Sequence, residues 1–306
     1  MSAPESPESS STKTDLLLIL TVFTWGFNFS VVKFALAELS PLAFNSVRFF
    51  LAAITILVVA RAFGHRWQFE RRHLPFLIGL GLVGNAIYQV LFIYGAAATT
   101  ADNAALILGT VPVWVALMGA LAGMERVALG GWAGMLVSFA GIVLIVLGGD
   151  RDAHFEFGGA TLQGDGLVLL ATFCWSAYTL LVRLAMRLYR PLSVTIFVTL
   201  VGSLPLILIG IPDLLATDLA AVSFTAWVCT AFSGVFSIAL AYFVWNYGIS
   251  RLGSARTSLY SNIVPIVALV TAWAWLGETL TPLQGVGALA ALAGVVLARR
   301  HTRPRR

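Results

Sequence analysis

The chain has 306 residues, of which 59% are hydrophobic and 11% charged, and its mean hydropathy is +0.90. Soluble domains carry roughly a quarter charged residues, so a water-solvated globular fold is excluded; backbone groups facing lipid must be paired within each spanning segment, which selects helices. The net charge of +5 and pI near 9.6 come without a basic stripe interleaved with aromatics on a polar segment, which excludes a nucleic-acid partner.

Residues 1–14 are polar, rich in Ser, Pro and Glu, with Lys13 as the lone cation; they read as a disordered tail and not as a cleaved signal peptide. Apolar runs of about twenty residues, the length that crosses a ~30 Å hydrocarbon layer, then follow in order. The first, 15–36, carries Trp25, Asn28 and Phe29, and the second, 41–61, opens at Ser40-Pro41 and contains Arg48. The third, 74–95, places Asn85, Tyr88, Gln89 and Phe92 at i, i+3, i+4 and i+7, a single helical stripe. The fourth, 102–122, has Pro112 near its middle, and the fifth, 129–148, presents Gly134, Ser138 and Gly141 at helical spacing. A polar link, 149–164, separates these from the sixth run, 165–185, with Trp175, Tyr178 and Thr179. The seventh is 192–212; the eighth, 223–247, carries Tyr242, Trp245 and Asn246; the ninth, 254–276, has Ser258, Ser261 and Asn262 one turn before Pro265. The tenth, 281–298, repeats the small stripe as Gly287, Ala291 and Gly294, and a basic tail, 299–306, ends the chain. The fold class expected is therefore all-α integral membrane, with ten transmembrane helices.

Lys and Arg concentrate in cytoplasmic loops. With the N-terminus inside, sixteen of the nineteen fall on that side, Lys33 and Arg151 on the other, and Arg48 within a helix. Both termini are therefore expected in the cytoplasm, in the inner (plasma) membrane of a bacterium.

The two halves repeat. A shift of 150 aligns Asp15 with Asp165, Trp25 with Trp175, Lys33 with Arg183, and Pro41 with Pro191. After a three-residue slip, a shift of 153 aligns Tyr94 with Tyr247, Pro112 with Pro265, Glu125 with Glu278, Gly134 with Gly287, and Gly141 with Gly294. Generic apolar similarity does not place Trp, Pro, Glu and Gly in common register. The units are read as 15–148 and 165–298; five spans being an odd number, the second unit enters the membrane from the opposite face, an inverted repeat of the kind that builds transporters.

These residues resemble a known family. Trp25-Gly26, Pro41 with Arg48-Phe49, Pro112 with Glu125, Pro265 with Gly277-Glu278, and the Gly-rich fifth and tenth spans are similar to the EamA-type branch of the drug/metabolite transporter superfamily, over residues 15–298. The resemblance implies a ten-helix carrier of two inverted five-helix repeats, many relatives of which export amino acids or other metabolites. The sequence departs from the pattern at Gly123-Met124-Glu125, where the second half has Gly277-Glu278.

Polar side chains inside spans are costly and face other helices or a cavity. The stripes on five repeat-related helices are expected to converge on one central cavity, giving as substrate-binding candidates Trp25, Asn28, Arg48, Asn85, Tyr88, Gln89, Trp175, Tyr178, Tyr242, Trp245, Ser258 and Asn262. Arg48 is expected either to pair with Asp102, Asp165 or Glu278 or to bind a substrate carboxylate. Pro112 and Pro265, near mid-span, are expected to kink their helices and are candidate hinges. Inversion predicts Asn28, Tyr88 and Gln89 on the external side of the midplane and Tyr178 and Tyr242 on the cytoplasmic side, as two gates. Glu125 and Glu278 read as structural groups at helix starts, and Cys174 and Cys229 as buried thiols. The small stripes of spans five and ten suit close packing, including a possible homodimer.

His65, His73, His154 and His301 all lie in loops or the tail, and neither a metal-ligand motif nor a phosphate-binding Gly-rich loop occurs. No enzyme chemistry, metal or cofactor is therefore expected. The aromatic and amide groups suit a small, partly apolar solute such as an amino acid. Every carboxylate falls in a tail, a loop or a terminal turn, which favours an exporter or facilitator over a proton-coupled antiporter; an intramembrane enzyme and a membrane scaffold are the alternatives of other classes.

Overall fold

The computed structural model describes residues 7–64, 68–99, 101–148, 162–276 and 280–304. Residues 1–6, the link 149–161, Gly277, Glu278 and the final two residues of the tail lie outside the described residues, as do the side chains of Lys33 and Asp102.

The protein is an all-α integral membrane protein. Among the described residues, nine helical stretches of 18 to 29 residues are long and apolar enough to cross a bilayer. They are built from α1 (Pro7–Leu36), α2 (Pro41–Ala62), α3 (Leu74–Gly81) with α4 (Tyr88–Ala97), α5 (Ala101–Leu108) with α6 (Val111–Leu121), α7 (Leu129–Leu147), α8 (Leu162–Leu188), α9 (Pro191–Ala216), α10 (Phe224–Phe232) with α11 (Ala241–Leu252), and α14 (Pro282–His301). The run predicted as the ninth span is also helical, but in three consecutive pieces, α12 (Ser254–Ser258), a 3₁₀ segment (Leu259–Ile263) and α13 (Val264–Leu276). This is compatible with ten crossings. One expectation is corrected: the helix of the first span begins at Pro7, inside the stretch read as a disordered tail.

Several helix starts carry side-chain caps. Ser40 accepts from the Ala43 amide with Pro41 in the first turn of α2, Ser223 accepts from the Ala226 amide at the start of α10, and Thr281 and Gln284 form a capping box around Pro282 in the first turn of α14.

Two spans are interrupted where the sequence showed no sign of it. Leu82–Ile87 joins α3 to α4 as a π-helix, and Ser233–Leu240 joins α10 to α11 in the same form. Shifted by 153, the first stretch falls on residues 235–240 of the second. Such i→i+5 turns change the helical phase and concentrate at functional sites.

The fifth and tenth spans, α7 and α14, make the most extensive helix pair. A Cβ on Gly141 would lie 2.3 Å from the Ala291 nitrogen and 2.6 Å from the Gly287 carbonyl, and one on Gly287 would lie 2.7 Å from the Gly141 carbonyl. Gly134 and Gly294 repeat the relation, each Cβ falling within 2.8 Å of the other's carbonyl. Since Gly134 corresponds to Gly287 and Gly141 to Gly294, the contacts are reciprocal, as a two-fold axis requires. The small-residue stripes are thus used inside the chain, and a homodimer through these helices would have to use their outer faces, where Leu136, Leu289 and Val296 are exposed.

The ends of the bundle sort the loops. At one end Asp15 of α1 pairs with Arg299 of α14, and β1 (Glu125–Val127) pairs antiparallel with β2 (Thr302–Pro304). At the other, Ser40 donates to Asp213, Thr281 to the Gly148 carbonyl, and Thr99 to Asp165. There too the Ser223 amide and hydroxyl donate to Glu38 at 2.6 and 2.7 Å, which holds that carboxyl below its usual range.

Candidate functional site

Four elements bring aromatic rings to the centre of the bundle. Trp25 of α1 lies 6.0 Å from Trp175 of α8, 6.3 Å from Tyr242 and 5.0 Å from Trp245 of α11, ring centre to ring centre. Trp175 in turn lies 5.1 Å from Tyr88 of α4 and 5.4 Å from each of Tyr178 and Tyr242. Most of these contacts are tilted or edge-on, the arrangement that ring quadrupoles favour. Trp25 Nε1 donates to the Ser237 carbonyl at 2.9 Å, so the π-helical stretch of the eighth span receives the first span's indole.

Polar groups fill the rest of the cluster. Arg48 is almost wholly buried and donates from Nη2 to Gln89 Oε1 at 2.6 Å and from Nη1 to Ser233 Oγ at 3.4 Å; Gln89 Nε2 donates to the Tyr242 hydroxyl at 3.3 Å. The Arg48 Nε is buried with no acceptor, and Phe44 and Phe49 present their rings 5.0 and 5.5 Å from its Cζ. Beside this, Asn246 Nδ2 donates to the Tyr178 hydroxyl at 2.8 Å and to Thr195 Oγ1 at 3.0 Å, and Trp245 Nε1 donates to Thr179 Oγ1 at 3.4 Å.

Of the residues singled out in sequence, Trp25, Arg48, Tyr88, Gln89, Trp175, Tyr178, Tyr242 and Trp245 are brought together. No described hydrogen bond or ring contact joins the other four to this cluster. Asn85 donates to the Val198 carbonyl at 3.3 Å, joining the third span to α9. Ser258 bonds back to the Ala255 carbonyl, and Asn262 donates to Ser138 Oγ at 2.9 Å, so the 3₁₀ turn directs it to α7. Asn28 is half-buried one turn beyond Trp25, its Oδ1 shielded and without a bond.

Three further expectations are corrected. Gln89 and Tyr242, assigned to opposite sides of the midplane, are bonded to each other, so they belong to one layer and not to two gates. Of the acids named for Arg48, Asp165 bonds Thr99 instead, while the side chain of Asp102 and all of Glu278 lie outside the described residues; among the described residues the guanidinium meets the neutral acceptors Gln89 and Ser233. Pro112 and Pro265 do not kink continuous helices. Each is the second residue of a new one, α6 after the turn at Gly109 and Thr110, α13 after the 3₁₀ segment.

Sequence reasoning missed Ser233, Thr195 and the burial of Glu125. Glu125 Oε1 accepts from Arg183 Nη1 at 2.9 Å and from the Ser254 and Ala255 amides at 3.0 and 3.4 Å, while Oε2 is buried without a partner. Burial pushes this carboxyl above its ordinary range, with Arg183 and the two amides pulling against the shift. The contact ties the loop after α6 to α8 and to the start of the ninth span.

The sequence model of the EamA-like transporter family matches this chain at residues 12–147 and again at 162–300. Among curated proteins, the chain is 28% identical over 284 residues to an uncharacterized transporter of Bacillus subtilis, covering 92% of both chains. It is 28% identical over 289 residues to a probable terminal-alkyne amino-acid exporter of Streptantibioticus cattleyicolor, covering 94% of each, and 27% identical over 296 residues to a probable amino-acid metabolite efflux pump of Salmonella typhimurium, covering 94% of this chain and 95% of the relative. A solved crystal structure superposes with a TM-score of 0.79 over 95% of this chain and 96% of its own at 19% identity, a likeness of fold.

Proposed function

Because this chain belongs to the EamA-like transporter family, a family of integral membrane carriers, we propose that it is a secondary transporter exporting a small amino-acid-like metabolite by alternating access between two inverted five-helix repeats. A relative named a probable terminal-alkyne amino-acid exporter and one named a probable amino-acid metabolite efflux pump, each matched across more than nine-tenths of the chain, support the substrate class. The reading includes no covalent chemistry, so the solute emerges unchanged.

The observation that carries the mechanism is the contact of repeat-equivalent residues at the centre, Gln89 with Tyr242 and Trp25 with Trp175. Alternating access in an inverted repeat exchanges the conformations of the two halves around a fixed site. Residues on the axis relating the halves remain neighbours in both states and can hold the solute throughout. The eight clustered side chains are read as that site, and Pro112 and Pro265, each opening a new helix after a break, as the paired hinges. The loop grouping supports an orientation with both termini cytoplasmic, since the end carrying Asp15, Arg299 and β2 also carries the arginine-rich loops; a bacterial inner membrane fits this arrangement.

Proteoliposomes loaded with an unlabelled amino acid and diluted into trace labelled amino acid should take up label by counterflow. Absence of counterflow for every amino acid tested, in vesicles shown to contain folded protein, would count against the reading.

A second reading, a proton-coupled antiporter, is favoured by one observation: Glu125 is a buried carboxylate with one free oxygen at the junction of three elements.

A further inference from the structure

Arg48 sits in the bundle's interior, and its partners among the described residues are neutral groups that leave one of its donors unbonded and its charge unmatched. Its guanidinium has five N–H donors in a planar fork. Two bond neutral acceptors, Gln89 Oε1 and Ser233 Oγ, while the Nε–H is buried and has none. The described carboxylates nearest the ends of the spans are engaged elsewhere, Asp15 with Tyr260 and Arg299, Asp165 with Thr99, Asp213 with Ser40 and Glu125 with Arg183. A tie between α2, the third span and the eighth could be made by a neutral side chain without the penalty of a desolvated cation, which is several kcal/mol even after relaxation. Among the described residues no acid explains the charge, which points to another reason for it.

The surroundings supply one. Phe44 and Phe49 flank the cation, and the bond from Arg48 to Gln89 continues to Tyr242, whose ring meets Trp25 and Trp175. A fixed cation whose unused Nε–H adjoins an Nη matches the two oxygens of a carboxylate, which guanidinium binds bidentately. The rings beside it offer apolar surface to the rest of a small molecule.

We propose that Arg48 is the anchor for the carboxylate of the transported solute, so that the substrates of this carrier are carboxylic acids, with the Trp25, Trp175 and Tyr242 rings taking the remainder. This rests on the transporter reading above and narrows it to a chemical class. In the unloaded protein Gln89 and Ser233 hold the guanidinium in place; the arriving carboxylate supplies the counter-charge.

The test uses matched probes with purified full-length protein: L-leucine, L-leucinamide, isoamylamine and 4-methylpentanoate, and the corresponding set built on L-phenylalanine. Thermal unfolding in detergent should shift upward with acids of these sets and not with the amides or amines, because ligands that bind the folded state stabilise it. Arg48→Gln should retain or raise the melting temperature of the unliganded protein while weakening acid binding about tenfold or more, the scale of a lost charge-assisted hydrogen bond. Gln89→Glu is the second variant: a carboxylate placed where Oε1 lies 2.6 Å from Arg48 should raise the melting temperature and occupy the anchor, so that the acids no longer shift it. Amides or amines stabilising as strongly as the acids, or acids still binding both variants with wild-type affinity, would overturn the anchor. So would a panel in which no acid binds. Counterflow separates the two levels: movement of amines or amides but not acids leaves a carrier of another class, whereas no movement of any probe removes the carrier reading as well.

Discussion

Gln89 Nε2 donates to the Tyr242 hydroxyl at 3.3 Å, and the two residues are 153 apart, the offset that relates the halves of the chain. The bond ties the third span to the eighth immediately after their π-helical stretches. Tyr242→Phe removes an acceptor from a neutral bond and should cost about 0.5–1.5 kcal/mol. Gln89→Leu also removes an acceptor from the buried Arg48, a bond to a charged group worth about 1.5–3 kcal/mol. Unfolding in denaturant should therefore rank Gln89→Leu as the more damaging; equal losses would mean that Gln89 does not support Arg48.

The α7–α14 pair predicts a contrast between glycines. Gly141→Ala would push a methyl group to 2.3 Å from the backbone nitrogen of Ala291, so the two helices must separate, at about 1–3 kcal/mol or more. Gly287→Ala should be equally harmful, since its contact with Gly141 is the reciprocal one. Gly285, on the same helix, meets nothing within 4 Å, and Gly285→Ala should be neutral or stabilising by about 0.5–1 kcal/mol. Melting curves of the three variants in detergent test this, and a tolerated Gly141→Ala would argue against the close approach.

The spans and the meeting of Trp25 with Trp175 and Trp245 are legible in the sequence because apolar length and 3.6-residue spacing are linear properties of a chain. Ser233 is not. It faces Arg48 from the π-helical stretch, where a count in steps of three and four loses phase. Ser258 and Asn262 fail for the complementary reason, since the tighter 3₁₀ turn between α12 and α13 carries Asn262 toward Ser138. The burial of Glu125 depends on its contact with Ser254, 129 residues away, which no local pattern encodes.

Arg183 and Glu125 form a pair with side chains only 12% and 1% exposed. Removing one partner of a buried pair costs about 3–5 kcal/mol when the other stays charged, but Glu125 can escape by taking a proton. Its folded pKa is already above the ordinary value of 4.5 and rises further once Arg183 is gone. A raised carboxyl contributes stability that is present at low pH and is lost as pH rises through the folded pKa. Arg183→Ala should accordingly approach wild-type stability near pH 5 and fall away from it toward pH 8. A deficit independent of pH would show that Glu125 is not the group responsible.

Pro265 is the second residue of α13, where its fixed φ suits the helix start and its missing N–H is not needed. Pro265→Ala should change stability by no more than about 1 kcal/mol, mostly through the unfolded chain. As a hinge, the break before α13 concentrates bending at one place, and the substitution should let the helix extend backward and slow counterflow. An unchanged rate in both Pro265→Ala and Pro112→Ala would make the breaks static.

Energy coupling turns on Glu125. Proton-driven carriers commonly use buried Asp, Glu or His as relays, and Glu125 is the described carboxylate that combines deep burial with an unbonded oxygen. It lies outside the spans, however, in β1, held by Arg183 and two backbone amides of the ninth span. A proton arriving there would settle on the unbonded Oε2 and discharge the ion pair with Arg183, and no described acid connects it to the Arg48 cluster. We therefore expect a facilitator that moves solute down its own gradient, with Glu125 as a structural latch. Proteoliposomes with an imposed pH gradient and the membrane potential clamped at zero decide the matter. The facilitator brings a solute of zero net charge only to equal concentration on both sides, and Glu125→Gln alters the rate or the stability but not that end point. Accumulation above equilibrium that collapses with the pH gradient and is lost in Glu125→Gln would instead establish proton coupling through this carboxylate.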